Sequence, residues 1–245
     1  MKLVSINIEN NLHTKTVLEF LKKERPDIVC MQELLEEDFP FYKKELNLEG
    51  VYQPWHCIIS PNYPNLKGKK NGVAIFSKNI VDSGFIFYNG RKENIQKSFE
   101  EYMSREEFRK NSVLVWADIK DNNSNLILKI VTTHLPVTHE GEVTEYQIKV
   151  IDALLAELSR IDEFVLCGDT NAPRGAESFS RIAKKYKDNI PQEYNTSIDQ
   201  NIHRTKGIQF MVDVLFTTPL YEVTRVRFQD GVSDHMALVA EIERI

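Results

Sequence analysis

The runs "IVCM" at 28–31 and "FVLC" at 164–167 are apolar at every position. A strand with no polar face must be covered on both sides, so a lone solvated sheet is excluded and sheets have to be stacked between other layers. Each run also ends abruptly on polar groups, Gln32-Glu33 in the first and Gly168-Asp169 in the second.

The same punctuation recurs along the chain. "LVSI" leads into Asn7, "KIVTT" leads into His134, and Asp234-His235 stands directly before "MALVAEI". Alternation in "LILKIVTTH" sets Leu126, Leu128, Ile130, Thr132 and His134 on one face, and "SVLVWADIK" forms a hairpin with it about "DNNSN". Other strands are expected at "VYQPWHCIIS", "GVAIFSK", "SGFIFY", "IQFMVDVLF", "YEVTRVRFQ" and "HMALVAEIE", with Asn71-Gly72 as a turn between two of them.

Helices are fewer. "HTKTVLEFLKKE" places Val17, Leu18 and Leu21 on one face and has to stop before Pro26. Val143, Tyr146, Val150, Leu154 and Leu158 recur every three or four residues, which is the core face of an amphipathic helix. "AESFSRIAKKYKD" reads as another helix, and residues 88–111 read as a charged surface excursion with some helix. No internal repeat and no Pro/Gly/Ser linker divides the sequence, so one domain spanning 1–245 is expected.

With 31 Lys and Arg against 36 Asp and Glu, the net charge of −5 argues against a protein that coats nucleic acid nonspecifically. A local basic rim remains open at Lys67, Lys69 and Lys70, or at Arg204 and Lys206, although either cluster alone reads as a solvated loop. Cys30, Cys57 and Cys167 cannot all pair and are expected to be reduced, buried thiols. No apolar stretch approaches the ~20 residues of a membrane span. The expectation is a cytoplasmic monomer.

Taken singly, each strand-end residue has a structural explanation: Asn7 caps a turn, Glu33 opens a helix, and Asp169 or Asp234 closes an Asx turn. Jointly, these groups would meet in one cleft if their strands are neighbours. Asp213, inside "FMVDVLF", adds a carboxylate whose burial costs several kcal/mol unless it is paired, and a histidine facing the cleft is the expected partner.

The motifs "SIN" at Asn7, "MQE" at Glu33, "NGVAIFSK", "TTHLP" at His134, "GDTN" at Asp169 and Asn171, "VDVLF" at Asp213 and "SDH" at 233–235 occur in that order across nearly the whole chain. In this set the chain resembles the endonuclease/exonuclease/phosphatase superfamily, the deoxyribonuclease-I-like metal-dependent phosphohydrolases. Ile6 stands where the family often has an aromatic residue and Thr170 where it often has Phe. "GDTN" is similar to the spelling of the 5′-tyrosyl-DNA phosphodiesterase branch.

The resemblance implies an α/β fold: a four-layer αββα sandwich of two mostly antiparallel sheets packed face to face with helices outside. It further implies Mg²⁺, with Mn²⁺ as a substitute, held by Glu33 with Asn7 and Asp234 near the ion. Asp169 would orient and deprotonate the attacking water, Asn171 would fix water or phosphate, and His134 and His235 would contact phosphate oxygens, with Asp213 holding His235. The implied activity is phosphodiester hydrolysis on nucleic acid, as a nuclease or a DNA-end-processing phosphodiesterase. Phosphatase action on inositol phosphates, lipid headgroups or small nucleotides is the alternative within the enzymes, and a noncatalytic phosphate-binding module the alternative outside them.

Overall fold

A computed structural model describes residues 1–245. In chain order the elements are β1 (Lys2–Asn7), α1 (Thr14–Glu24), β2 (Ile28–Leu35), α2 (Phe39–Leu46), β3 (Glu49–Cys57), β4 (Lys70–Ser77) and β5 (Ile80–Asn89). Three short helices follow, α3 (Lys92–Ile95), α4 (Phe99–Ser104) and α5 (Glu106–Arg109), then β6 (Ser112–Lys120) and β7 (Ile127–His134). The chain continues through α6 (Glu145–Leu158), β8 (Val165–Asp169), α7 (Glu177–Ala183), β9 (Lys187–Asp188), β10 (Asp213–Thr217), β11 (Tyr221–Gln229) and β12 (Ala237–Arg244).

The strands form two six-stranded sheets, ordered β11-β12-β1-β2-β4-β3 and β5-β6-β7-β8-β10-β9. Only β1–β2 and β7–β8 are parallel pairs; every other pairing is antiparallel. Alternation along the apolar runs sorts the layers. Ile28 and Cys30 of β2 meet Val165 and Cys167 of β8 in the core between the sheets. Val29 and Met31 instead face Val17 and Leu21 of α1 and Tyr42 of α2, while Phe164 and Leu166 face Val150, Leu154 and Leu158 of α6. The result is an αββα sandwich in which both sequence runs are covered on each side, as their composition demands. Truncating a fully buried ring such as Phe216 would cost about 3–5 kcal/mol.

Several local expectations need correcting. Asn71-Gly72 is no turn: both residues lie within β4, opposite Leu35 and Leu34 of β2 and against β3, where the register breaks between Pro54 and His56. A Cβ at Gly72 would drive into the Gln53 carbonyl oxygen, so glycine is there for close strand approach. Residues 208–212 are not strand, and β10 begins only at Asp213. Val143 and Leu126 fall outside their elements and are exposed.

Tyr52 stacks on Phe39 and donates to the Leu34 carbonyl, and Trp55 is buried. Lys69 and Lys70 pair with Glu37 and Glu36 and form no free rim. Helix α1 ends at Glu24, where Arg25 turns into the left-handed region ahead of Pro26. All three cysteines are free and buried.

Candidate active site

Strand register assembles the site before any loop contributes. In one sheet His134 of β7 pairs with Asp169 of β8, which pairs in turn with Asp213 of β10, so three titratable residues stand in a row across three neighbouring strands. In the other sheet Asn7 of β1 lies beside Gln32 of β2, with Glu33 one residue further on. Gln32 Nε2 donates across the sandwich to Thr132 Oγ1 at 3.0 Å and ties the two rows together.

Glu33 is aimed by backbone geometry. Its φ is +57°, in the left-handed region disfavoured for such a residue, and the β2–β4 register breaks between Met31 and Leu34. The kink turns its carboxylate toward β1, where Asn7 Nδ2 donates to Oε1 at 3.2 Å and Asn10 Nδ2 to Oε2 at 3.4 Å. Asn7 Nδ2 also donates to Asp169 Oδ2 at 3.1 Å, so one amide joins both rows of polar tips. Its oxygen is engaged by the Glu9 N–H at 3.0 Å.

Asp169 is almost fully buried and richly satisfied. The Asn171 N–H donates to Oδ1 at 2.8 Å, and His134 Nε2 and His235 Nε2 lie 3.3 and 3.8 Å from Oδ2. Burial alone would raise the carboxyl's pKa, but the imidazoles of His235 and His134 and the Asn171 N–H outweigh it and bring it down to about 2. Asn171 adopts a φ of +47°, tolerable for asparagine, and its Nδ2 reaches both His134 Nε2 at 3.0 Å and the Leu135 carbonyl at 2.9 Å. Gln147, in the first turn of α6, pins the Asn171 carbonyl at 2.9 Å.

His235 Nδ1 lies 2.7 Å from Asp213 Oδ2. Burial opposes charge on this imidazole, yet Asp213 and Asp169 together raise its pKa well above the usual value. His134 is also raised, by Asp169 and Glu33 against the penalty of burial. Asp234 moves the other way from Asp169: burial and the charges of Glu9 and Glu33 push it up to about 6.

A cavity of about 490 Å³ is lined by Asn7, Glu33, His134, Asp169, Asn171, Asp234 and His235, all seven of which the sequence singled out. Asp213 stands behind His235. Sequence reasoning missed Glu9, Asn10, His56, Tyr63 and Asn71, which also line the cavity, and read Arg204, another lining residue, as part of a solvated loop. Arg204 bonds to Glu9 and to the Tyr63 hydroxyl and stacks over the Tyr63 ring, 4.7 Å from its centroid. The crowding of Glu9 and Asn10 directly after β1 was the available signal for those two; nothing local marked Arg204. Arg174 is structural, paired with Asp188 at 2.9 Å and bonded to the carbonyls of Pro191, Ile190 and Tyr194.

The carboxylates form a donor set suited to a hard cation. Glu33 and Asp234 offer carboxylate oxygens to the same cavity, Glu9, His13 and Asp234 lie close enough to share one ion, and burial followed by the charges of Glu9 and Glu33 holds the Asp234 carboxyl above its ordinary pKa. A divalent ion would relieve that repulsion.

No curated protein sequence matches the chain. Among solved structures, an endonuclease/exonuclease/phosphatase from Bacteroides vulgatus superposes with a TM-score of 0.73 at 18% identity, covering 100% of this chain and 98% of that one. The human nocturnin catalytic domain with bound sulfate gives 0.74 at 17% identity over 100% and 93%, and a Bacteroides thetaiotaomicron mannosyl-6-phosphatase 0.69 at 15% over 99% of each. At such identities these likenesses establish the fold. The family model described as endonuclease/exonuclease/phosphatase matches residues 4–235, and the chain belongs to that family.

Proposed function

We propose that the protein is a divalent-metal-dependent phosphoester hydrolase, acting as a phosphodiesterase through attack of a water molecule oriented by Asp169. The observation that carries this reading is the carboxylate of Asp169, ionised throughout the neutral range, with two imidazoles and the Asn7 amide at its Oδ2 and the Asn171 N–H on its Oδ1. A carboxylate so restrained presents a fixed acceptor to water.

Glu33 and Asp234 would hold the ion, with Asn7 beside it. Mg²⁺ fits because it keeps several waters and needs only one or two carboxylates, and Mn²⁺ fits the same set. When bound, the ion supplies charge neutralisation at the phosphate oxygens. The chain's own groups do the rest. Asp169 accepts a hydrogen bond from the attacking water and draws its proton as the new phosphorus–oxygen bond forms and the bond from phosphorus to the leaving oxygen breaks, that oxygen departing as an alkoxide that takes a proton from solvent. His235, charged and held by Asp213, donates through Nε2 to an oxygen that gains negative charge. His134 and Asn171 fix the remaining phosphate oxygen and the water.

The substrate class we propose is the phosphodiester at the end of a nucleic-acid strand. Arg204 is the one Lys or Arg lining the cavity, against Glu9, Glu33, Glu140, Asp169 and Asp234. Such a lining offers little counterion release to the interior of a long polyanion. A small phosphoester meets the same condition, and the mannosyl-6-phosphatase likeness keeps that second reading in view.

The deciding experiment is turnover of bis-4-nitrophenyl phosphate with Mg²⁺ or Mn²⁺, before and after chelation, followed by a panel of 5′-tyrosyl DNA ends, single-stranded and duplex DNA, RNA, inositol phosphates and sugar phosphates. Absence of metal-dependent turnover on every ester would make the protein a phosphate-binding module.

A further inference from the structure

The charged excursion between β5 and β6 reaches the cleft through a single relay. Tyr102 of α4 is fully buried, with its hydroxyl 3.4 Å from the Cys57 N–H and 3.1 Å from His56 Nδ1. The hydroxyl accepts from Cys57, and His56 Nδ1 is the one acceptor within reach of its buried proton, so an O–H that is not left unpaired donates to His56 Nδ1. An imidazole that accepts at Nδ1 carries its own proton on Nε2. Burial, reinforced by the nearby His134, lowers the His56 pKa to about 4, so the ring is neutral at pH 7.

His56 lines the same cavity as Glu33, His134 and Asp169. It sits opposite Asn71 in the β3–β4 ladder, and Asn71 Nδ2 donates to Asn10 Oδ1 at 3.1 Å, one step from Glu33. The Trp55 indole separates it from His134, with ring centroids 5.2 Å from His56 and 5.3 Å from His134. Its Nδ1 is engaged by Tyr102, whereas Nε2 has no hydrogen-bond partner in the protein. Of the four imidazoles lining the cavity, those of His134 and His235 are pulled toward charge by carboxylates, whereas that of His56 is held neutral with one N–H to give.

We propose that His56 is a substrate-binding residue whose Nε2–H donates a hydrogen bond to an oxygen of the phosphoester in the cleft, and that Tyr102 is the positioning residue that fixes its tautomer. This rests on the phosphoester reading above. Being protonated at Nε2 and occupied at Nδ1, His56 neither takes nor relays a proton. It acts as a donor only, placed on the Glu33 side of the cleft, where it recognises an acceptor oxygen without adding charge. The α3–α5 excursion thereby becomes part of the site instead of mere cover for a sheet edge.

Two measurements test the assignment on the full chain. Long-range ¹H–¹⁵N spectra should show His56 as the neutral Nε2–H tautomer at pH 7, shifting to a tautomer mixture in Tyr102→Phe. Hydrolysis of thymidine 5′-(4-nitrophenyl phosphate) with Mn²⁺ should lose about 30- to 100-fold in kcat/KM in His56→Ala. His56→Gln, whose amide N–H replaces the Nε2 donor, should stay within about threefold of wild type, and Tyr102→Phe should raise KM with kcat little changed. An Nδ1–H or cationic His56, or wild-type kcat/KM in a folded His56→Ala, overturns this proposal alone. A wild-type protein without metal-dependent turnover overturns the phosphoester reading and this proposal with it.

Discussion

Asp213 Oδ2 lies 2.7 Å from His235 Nδ1, and both side chains are buried with the imidazole's other nitrogen turned toward Asp169. The contact fixes which nitrogen of His235 faces the cleft and makes the imidazolium the favoured form. Asp213→Ala should therefore lower the His235 pKa, cut kcat/KM about a hundredfold, and cost about 1–3 kcal/mol of stability, since a buried charge loses its partner. Histidine titration by NMR, steady-state kinetics and a urea melt read these separately. An unchanged His235 titration would sink the pairing.

Asp169→Asn keeps shape and removes charge. It should fold with a melting temperature within a few degrees of wild type while losing at least about a thousandfold in kcat on bis-4-nitrophenyl phosphate. Wild-type rates in a correctly folded variant would remove Asp169 from the mechanism.

The polar strand tips were legible because each follows directly on an apolar run, and register then does the assembling: His134, Asp169 and Asp213 are cross-strand neighbours. The misreadings have two physical origins. Asn71-Gly72 has the local chemistry of a tight turn, but the demand for close approach between β3 and β4 overrides that propensity. Arg204, Tyr63 and His56 enter the cavity from loops or from the end of an edge strand, where no periodicity announces a shared destination. The positive φ of Glu33 has no sequence signature either, since it arises from the register break with β4.

That strained bulge yields a stability prediction. Glu33→Gly permits the left-handed φ at no steric cost and removes one carboxylate from an acidic cluster. The metal-free variant should be as stable as wild type or more stable by up to about 1 kcal/mol, while losing the metal-induced rise in melting temperature. Calorimetry with and without Mn²⁺ measures both. A metal-induced rise matching wild type would exclude Glu33 as a ligand.

Gly72 makes the opposite case. Gly72→Ala places a methyl group against the Gln53 carbonyl where β3 and β4 close up, with rigid backbone on both sides. It should destabilise by about 2 kcal/mol or more, far beyond the usual effect of losing a strand glycine. A neutral effect in a denaturant melt would mean that β3 moves away easily.

Asp234 gives the metal-free protein a distinctive pH response. Its folded pKa of about 6 lies above the ordinary value of 3.8, chiefly through burial and then through Glu9 and Glu33. The native state therefore binds more protons than the unfolded chain between about pH 4 and 6, and stability from this group is present below that window and lost as pH rises through it. Asp234→Asn should lack that loss, so the melting-temperature difference between variant and wild type should grow from pH 4 to pH 7 without metal. Saturating Mn²⁺ should shrink the difference or reverse it, because the cation favours the ionised carboxylate in the folded state. Parallel melting curves at every pH, with and without the ion, would place Asp234 outside the acidic cluster that the cavity geometry describes.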